Sequence, residues 1–177
     1  MKLGKLDFTD VGQHPDLIAA PTNKAIKQHN LQNVLVSEID AKLADTAAFC
    51  EAYDIGMDVS ANCVVVEARR ADKTWYAACL ILATNRADIN GVVRRHLDAR
   101  KISFAPMDTA TSLTQMEYGG ITPIGLPEDW QLIVDEAITQ KDRVIIGSGI
   151  RGSKLLVEGD IFTNLPNVTI KDIAKKE

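Results

Sequence analysis

Two apolar runs, "NCVVVEARR" at residues 62–70 and "TWYAACLILAT" at 74–84, stand three residues apart, joined by the polar "ADK". Val64 to Val66 and Ala77 to Leu82 are too uniformly apolar for a strand with one wet face, where side chains alternate between core and solvent. The pattern predicts an antiparallel hairpin that is largely buried. Such a hairpin demands that other elements cover it, and the remaining chain must supply them.

Those elements are legible in outline. The segment "PDLIAAPTNKAIKQHN" (15–30) is predicted helical with a break or restart near Pro21. "NVLVSEI" reads as a strand, and "DTAAFCEAYDI" as a helix capped by Asp45 or Thr46. "ADINGVVRRHL" is a helix that Asp88 can cap, with Ile89, Val92, Val93 and Leu97 on one face. After the strand "KISFAPM", Asp108 is placed to cap a helix through "TATSLTQMEY", which Gly119 would end in a left-handed conformation. "WQLIVDEAI", "DRVIIGSG" and "SKLLVEG" read as strands, "DIFTNLP" as a short helix and "VTIKDI" as a last extended or helical piece. Helices intervene without a steady βαβα beat, so the expected class is α+β with a curled mixed sheet. At 177 residues one domain over 1–177 is expected, with residues 1–30 a helical segment packed on it.

Composition excludes several functions. The chain is 46% apolar and 25% charged, the balance of a globular protein, and no apolar run is long enough to span a bilayer. The N-terminus lacks an apolar signal region, so a cytoplasmic location is expected, with no membrane partner. Cys50, Cys63 and Cys79 are odd in number and without CxxC spacing, which predicts buried reduced thiols. His14, His29 and His96 lie far apart, so neither a metal nor another cofactor is called for. A net charge of −4 argues against general coating of nucleic acid, although "RRHLDARK" (94–101) gathers five basic side chains, His96 among them. Taken alone, that run reads as a solvated helix face.

Two glycine-rich stretches carry the chemistry. "GSGIRG" (147–152) matches a dinucleotide fingerprint in its letters, but a strand follows it where that fingerprint needs a helix. It reads as a turn between strands, whose amides and Arg151 could face an anion. Ser148 lacks a downstream histidine, which removes a serine triad. Asp129, Asp135 and Glu136 read as surface or turn groups. "EYGGITPIGLPEDW" (117–130) has three glycines and two prolines in its first eleven positions, yet no histidine, cysteine or serine. Its backbone amides can either turn the chain into the next strand or converge on an oxyanion.

The segments "LADTAAFCEAYDIGMDVSANCVVVE", "TSLTQMEYGGITPIG", "IVDEA" and "VIIGSGIRGSKLLVEGDIF" together resemble the YbaK/prolyl-tRNA synthetase-associated domains, which hydrolyse misacylated tRNA. "GGITP" is similar to that family's GxxxP loop and is the most specific element. The resemblance implies a curled mixed β-barrel with peripheral helices and a pocket for the aminoacylated 3′ end of tRNA. It implies that Gly119, Gly120, Ile121, Thr122 and Pro123 hold the ester carbonyl while the substrate's own 2′-hydroxyl positions the attacking water. The family's lysine before the first hairpin strand is absent; Asn62 and Cys63 occupy the matching positions, so Asn62 is the candidate ribose contact. Ser148, Gly149, Arg151 and Lys154 are expected along the anionic side, with Arg151 or Lys154 supplying the missing cation. The expected function is a trans-acting aminoacyl-tRNA deacylase, or else a non-catalytic module that binds an aminoacyl or nucleotide end. A hydrolase of small esters or amides is a third reading, and the oligomeric state stays open.

Overall fold

The computed structural model describes residues 1–176, beginning with a hairpin of β1 (Lys2–Leu3) and β2 (Leu6–Asp7), followed by β3 (Thr9–Asp10). Two 3₁₀ turns, Val11–Gln13 and Pro15–Leu17, lead into α1 (Ala20–Gln28). The helix expected over 15–30 is therefore a turn and then a helix that Pro21 helps to start. At a first-turn position its fixed φ suits the helix and its missing N–H would have had no partner. β4 (Leu35–Glu38), a 3₁₀ turn at Ala41–Leu43 and α2 (Thr46–Tyr53) come next, α2 beginning after Asp45.

β5 (Ala61–Arg70) and β6 (Lys73–Leu82) form the anticipated hairpin, in unbroken register from Ala61↔Leu82 to Arg70↔Lys73. A π turn at Ile89–Val93 runs into α3 (Arg94–His96), and the Asp88 carboxylate caps it by accepting from the N–H of Gly91 at 3.1 Å and of Val92 at 3.3 Å. β7 (Lys101–Phe104) and α4 (Met107–Thr114) follow. α4 ends earlier than expected, because Gln115 takes the left-handed conformation (φ 58°) that the sequence suggested for Gly119. β8 (Gln131–Asp135) is likewise shorter than the run 130–138, since α5 (Glu136–Thr139) begins at once. β9 (Val144–Gly147), β10 (Ser153–Val157), a 3₁₀ turn at Ile161–Asn164 and β11 (Val168–Lys171) complete the chain order.

The strands form a four-stranded sheet, β3-β4-β10-β9, and a five-stranded sheet, β11-β8-β6-β5-β7. The first is antiparallel; the second is mixed, β8 running parallel to both β6 and β11. β6 is central and buried on both faces, which accounts for its unbroken apolar run. Ala78, Leu80 and Leu82 face a core shared with Val36, Ile146 and Leu155 of the other sheet. Ala77, Cys79 and Ile81 face a second core with Val93, Leu97 and Ile173. A fully buried leucine such as Leu80 contributes about 1.5–3 kcal/mol relative to exposure. The N-terminal segment joins the first core through Val11, Ile18 and Ile26, and the Ala19 N–H donates to the Ser148 carbonyl at 3.1 Å.

The α+β class and mixed pairing are as expected, but the barrel is not. The two sheets meet through one parallel bridge, Ser60↔Ile145, and no other pairing among the described residues closes them. The edges β3, β7 and β11 stay open, so the sheets do not close into a barrel. No helix among the described residues is long and apolar enough to cross a membrane.

Candidate functional site

The loop 116–123 and the turn 147–152 interlock. The Glu117 N–H donates to the Gly149 carbonyl at 2.9 Å, and the Gly149 N–H donates to the Gly120 carbonyl at 2.7 Å. The Arg151 N–H donates to Glu117 Oε1 at 2.8 Å, and Arg151 Nη1 donates to the Tyr118 carbonyl at 3.1 Å. This seam has no room for side chains at its two central glycines. A Cβ on Gly120 would sit 2.5 Å from the Ile150 carbonyl oxygen, and one on Gly147 would sit 2.6 Å from that of Gly120. The backbone entropy given up at these glycines is offset by an approach that no other residue permits.

Beside the seam lies a cavity of about 540 Å³, within the size range of small-ligand sites. Gly119, Ile121, Gly147 and Lys154 line it from the seam, Asn62 and its β5 neighbours from the hairpin, and Asp45 and Thr46 from the start of α2. Phe104, Met107 and Tyr118 stand at its mouth, each more than half exposed.

The loop amides divide into two sets. Gly120 N–H donates to the Glu117 carbonyl at 2.9 Å, and Thr122 N–H is directed at Met116 Sδ at 3.4 Å. Pro123 has no N–H, and it faces a different hollow, beside Trp130. The N–H groups of Gly119 and Ile121 have no acceptor among the described residues, and both residues line the cavity. Gly119 has φ 81°, a left-handed conformation that a residue with a Cβ rarely adopts.

Lys154 is the cation of the cavity. Only 7% exposed, its ammonium donates to the Ala44 carbonyl at 2.9 Å and lies 5.2 Å from the centre of the Phe49 ring. Burial lowers its pKa from 10.5 to about 8, partly opposed by Cys50 and Asp45 and reinforced by Arg151. Asn62 Oδ1 accepts from the Thr46 hydroxyl at 2.5 Å, which leaves its amide nitrogen without a protein partner among the described residues.

The other residues expected on the anionic side do not line this cavity. Ser148 is fully buried, its hydroxyl donating to the carbonyls of Ile150 and Ser153 and accepting from the Ser153 hydroxyl. Gly149 (φ 89°) packs against Ala19. Arg151 spans the rim, held by the carbonyls of Ala41 and Tyr118 with Asp45 at 4.0 Å. These three brace the seam. Conversely, Asp45, Thr46, Phe104 and Tyr118 were not singled out as site residues by sequence. Tyr118 directly precedes the glycine pair and Phe104 is an aromatic on a polar edge strand, which are the signals available for them.

No group of three or more His, Cys, Asp or Glu among the described residues is arranged to hold a metal ion. Cys50, Cys63 and Cys79 are free, and burial pushes the Cys79 thiol up to about 12.

Three solved structures share the architecture. A proposed trans-editing enzyme for prolyl tRNA synthetase superposes with a TM-score of 0.75 at 15% identity, over 90% of this chain and 99% of that one. A hypothetical protein matches with a TM-score of 0.76 at 17% identity, over 88% and 99%. A scaffold used for epitope backbone grafting matches with a TM-score of 0.74 at 16% identity, over 89% and 97%. At such identities the likeness establishes the fold. No curated protein sequence matches the chain significantly. The sequence profile of the aminoacyl-tRNA editing domain, however, matches residues 40–165, a span holding the loop, the seam and every residue named in the cavity wall, and on that match the chain belongs to the aminoacyl-tRNA editing domain family.

Proposed function

We propose that this protein is an aminoacyl-tRNA deacylase whose main-chain amides stabilise the oxyanion and whose substrate supplies the remaining hydroxyl. The observation that carries this reading is the pair of unengaged N–H groups at Gly119 and Ile121 on the cavity wall. An ester carbonyl seated there gains two donors as its oxygen becomes negative, in a site fixed before the reaction by the interlocked glycines. Water adds to the carbonyl carbon, the bond to the ribose oxygen breaks, and free amino acid and tRNA leave. A free ribose hydroxyl of the terminal adenosine orients that water, consistent with a wall that has no histidine or reactive cysteine. Lys154 offers the positive charge that the Asn62 position lacks, and the Asn62 amide donates toward the ribose. Asp45, on the same wall, is placed to receive the α-ammonium group of the amino acid.

Release of amino acid from a panel of mischarged tRNAs tests the activity. tRNAs ending in an adenosine without its free hydroxyl test the substrate's part in it. Release that proceeds undiminished without that hydroxyl would refute substrate assistance. The second reading, a binding module without turnover, is favoured by one observation: Asn62 stands where the family's lysine is expected. Tight binding with no release from any tRNA in the panel would select it.

A further inference from the structure

The cationic run 94–101 is not a uniformly solvated helix face. Folding brings Arg94, Arg100 and Lys101 together with Arg69 around a second hollow of about 550 Å³, between the π turn and the edge strand β7. In a chain of 20 basic and 24 acidic residues this is a local concentration of charge. The nearby carboxylates are already engaged. Glu67 is paired with Arg69 at 2.5 Å and accepts from the Tyr76 hydroxyl at 3.3 Å, while Asp98 is paired with Arg70 at 3.1 Å. Arg94 donates to the carbonyls of Asn90 and Ala99, and no ion pair among the described residues involves Arg94, Arg100 or Lys101.

β7 joins this hollow to the candidate site. Lys101 and Ser103 line the basic hollow, whereas Phe104 and Ala105 line the mouth of the other cavity. Three strand residues span about 10 Å. Phe104 is 68% exposed and Tyr118 is 54% exposed, two aromatic surfaces beside the mouth with cations leading up to them. A positive groove ending in aromatic platforms is the arrangement that holds single-stranded nucleic acid, phosphates along the groove and bases on the rings.

We infer that the groove along β7 is the docking track for the RNA backbone next to the unpaired 3′ end, with Arg94, Arg100 and Lys101 contacting phosphates and Phe104 stacking on a base. This rests on the deacylase reading for its direction, from the groove toward the cavity. Its phosphate contacts lie outside the cavity wall and contribute affinity without touching the ester, and Phe104 at the mouth is the residue the two share.

The test uses an RNA hairpin with a single-stranded 3′ overhang, its blunt counterpart, and mischarged tRNA beside a short aminoacylated 3′-end fragment. Arg100 and Lys101 are exposed, so Arg100→Ala with Lys101→Ala leaves the core intact. The double variant is expected to bind the hairpin at least tenfold more weakly at low salt. Its log-log salt slope should flatten by about 0.7 to 0.9 for each phosphate that is no longer neutralised. Turnover of tRNA should fall about tenfold more than turnover of the fragment. Phe104→Ser should weaken the overhang hairpin and spare the blunt one. An unchanged salt slope, equal losses on tRNA and fragment, or competition by polyglutamate as effective as by RNA of equal charge would overturn the assignment. If no tRNA is deacylated, the binding measurements still decide the track, so its failure and that of the deacylase reading are distinguishable.

Discussion

Replacing Lys154 with methionine should leave stability at neutral pH little changed, remove its rise at alkaline pH and impair the site. The buried ammonium holds its proton less tightly than in the unfolded chain, its pKa falling from 10.5 to about 8. At about 1.4 kcal/mol per tenfold change in proton affinity, retaining this charge at neutral pH costs about 3 kcal/mol of stability. Methionine has similar length and no charge, so Lys154→Met removes that cost. It also removes the bond to the Ala44 carbonyl, worth about 1.5–3 kcal/mol for a charged donor, and the interaction with the Phe49 ring. The net change at pH 7 is therefore small, between a loss of about 2 and a gain of about 1 kcal/mol once the ring interaction is counted. The pH profile is the sharper measure. Below about pH 8 both states hold the proton and Lys154 adds no slope; between about 8 and 10.5 the unfolded state alone holds it, so stability rises with pH. Urea unfolding across pH 7 to 10.5 should show this rise in the original protein relative to the variant, with other ionisations common to both. Deacylation, corrected for spontaneous ester loss, should fall in the original protein as pH rises through about 8 and should be low at every pH in the variant. A variant with the same pH-dependent stability as the original, or with undiminished turnover at pH 7, would refute the reasoning.

Gly120→Ala should lower stability by about 1–3 kcal/mol and turnover together, because its Cβ would press on the Ile150 backbone; thermal unfolding and a deacylation assay measure both. Asn62→Ala leaves the Thr46 hydroxyl without its acceptor in a half-buried position, costing about 1 kcal/mol of stability, and should raise KM for aminoacyl-tRNA if its amide contacts the ribose. Cys79 is fully buried with its thiol pushed up to about 12, so a disulfide reagent at pH 8 should modify it only at the rate of unfolding. Rapid modification of the native protein would contradict that placement.

The hairpin of β5 and β6 was legible because ten-residue apolar strands separated by a polar turn leave one economical pairing. Asp88 was legible as a cap for a related reason: a short carboxylate ahead of an apolar period meets the unpaired amides of the first turn. Pro21 and Gln115 were not, since a proline can begin a helix as well as break one, and a residue other than glycine can take a left-handed φ where the rest of the loop requires it. The closed barrel implied by family resemblance was not confirmed, because closure depends on pairing between distant edges.

Local order and side-chain chemistry set the α+β class, the two glycine-rich stretches and the scarcity of nucleophiles, since each depends on neighbours in the chain. Which amides are left without an acceptor, on residues that line the cavity, was decided only by folding. Gly119, Gly120, Ile121 and Thr122 are consecutive, yet alternate N–H groups are spent within the loop or left open, according to how the loop meets a turn nearly thirty residues away. The same holds for Lys154, whose unusual ionisation comes from Phe49 and Ala44 packing around it, more than a hundred positions earlier in the chain.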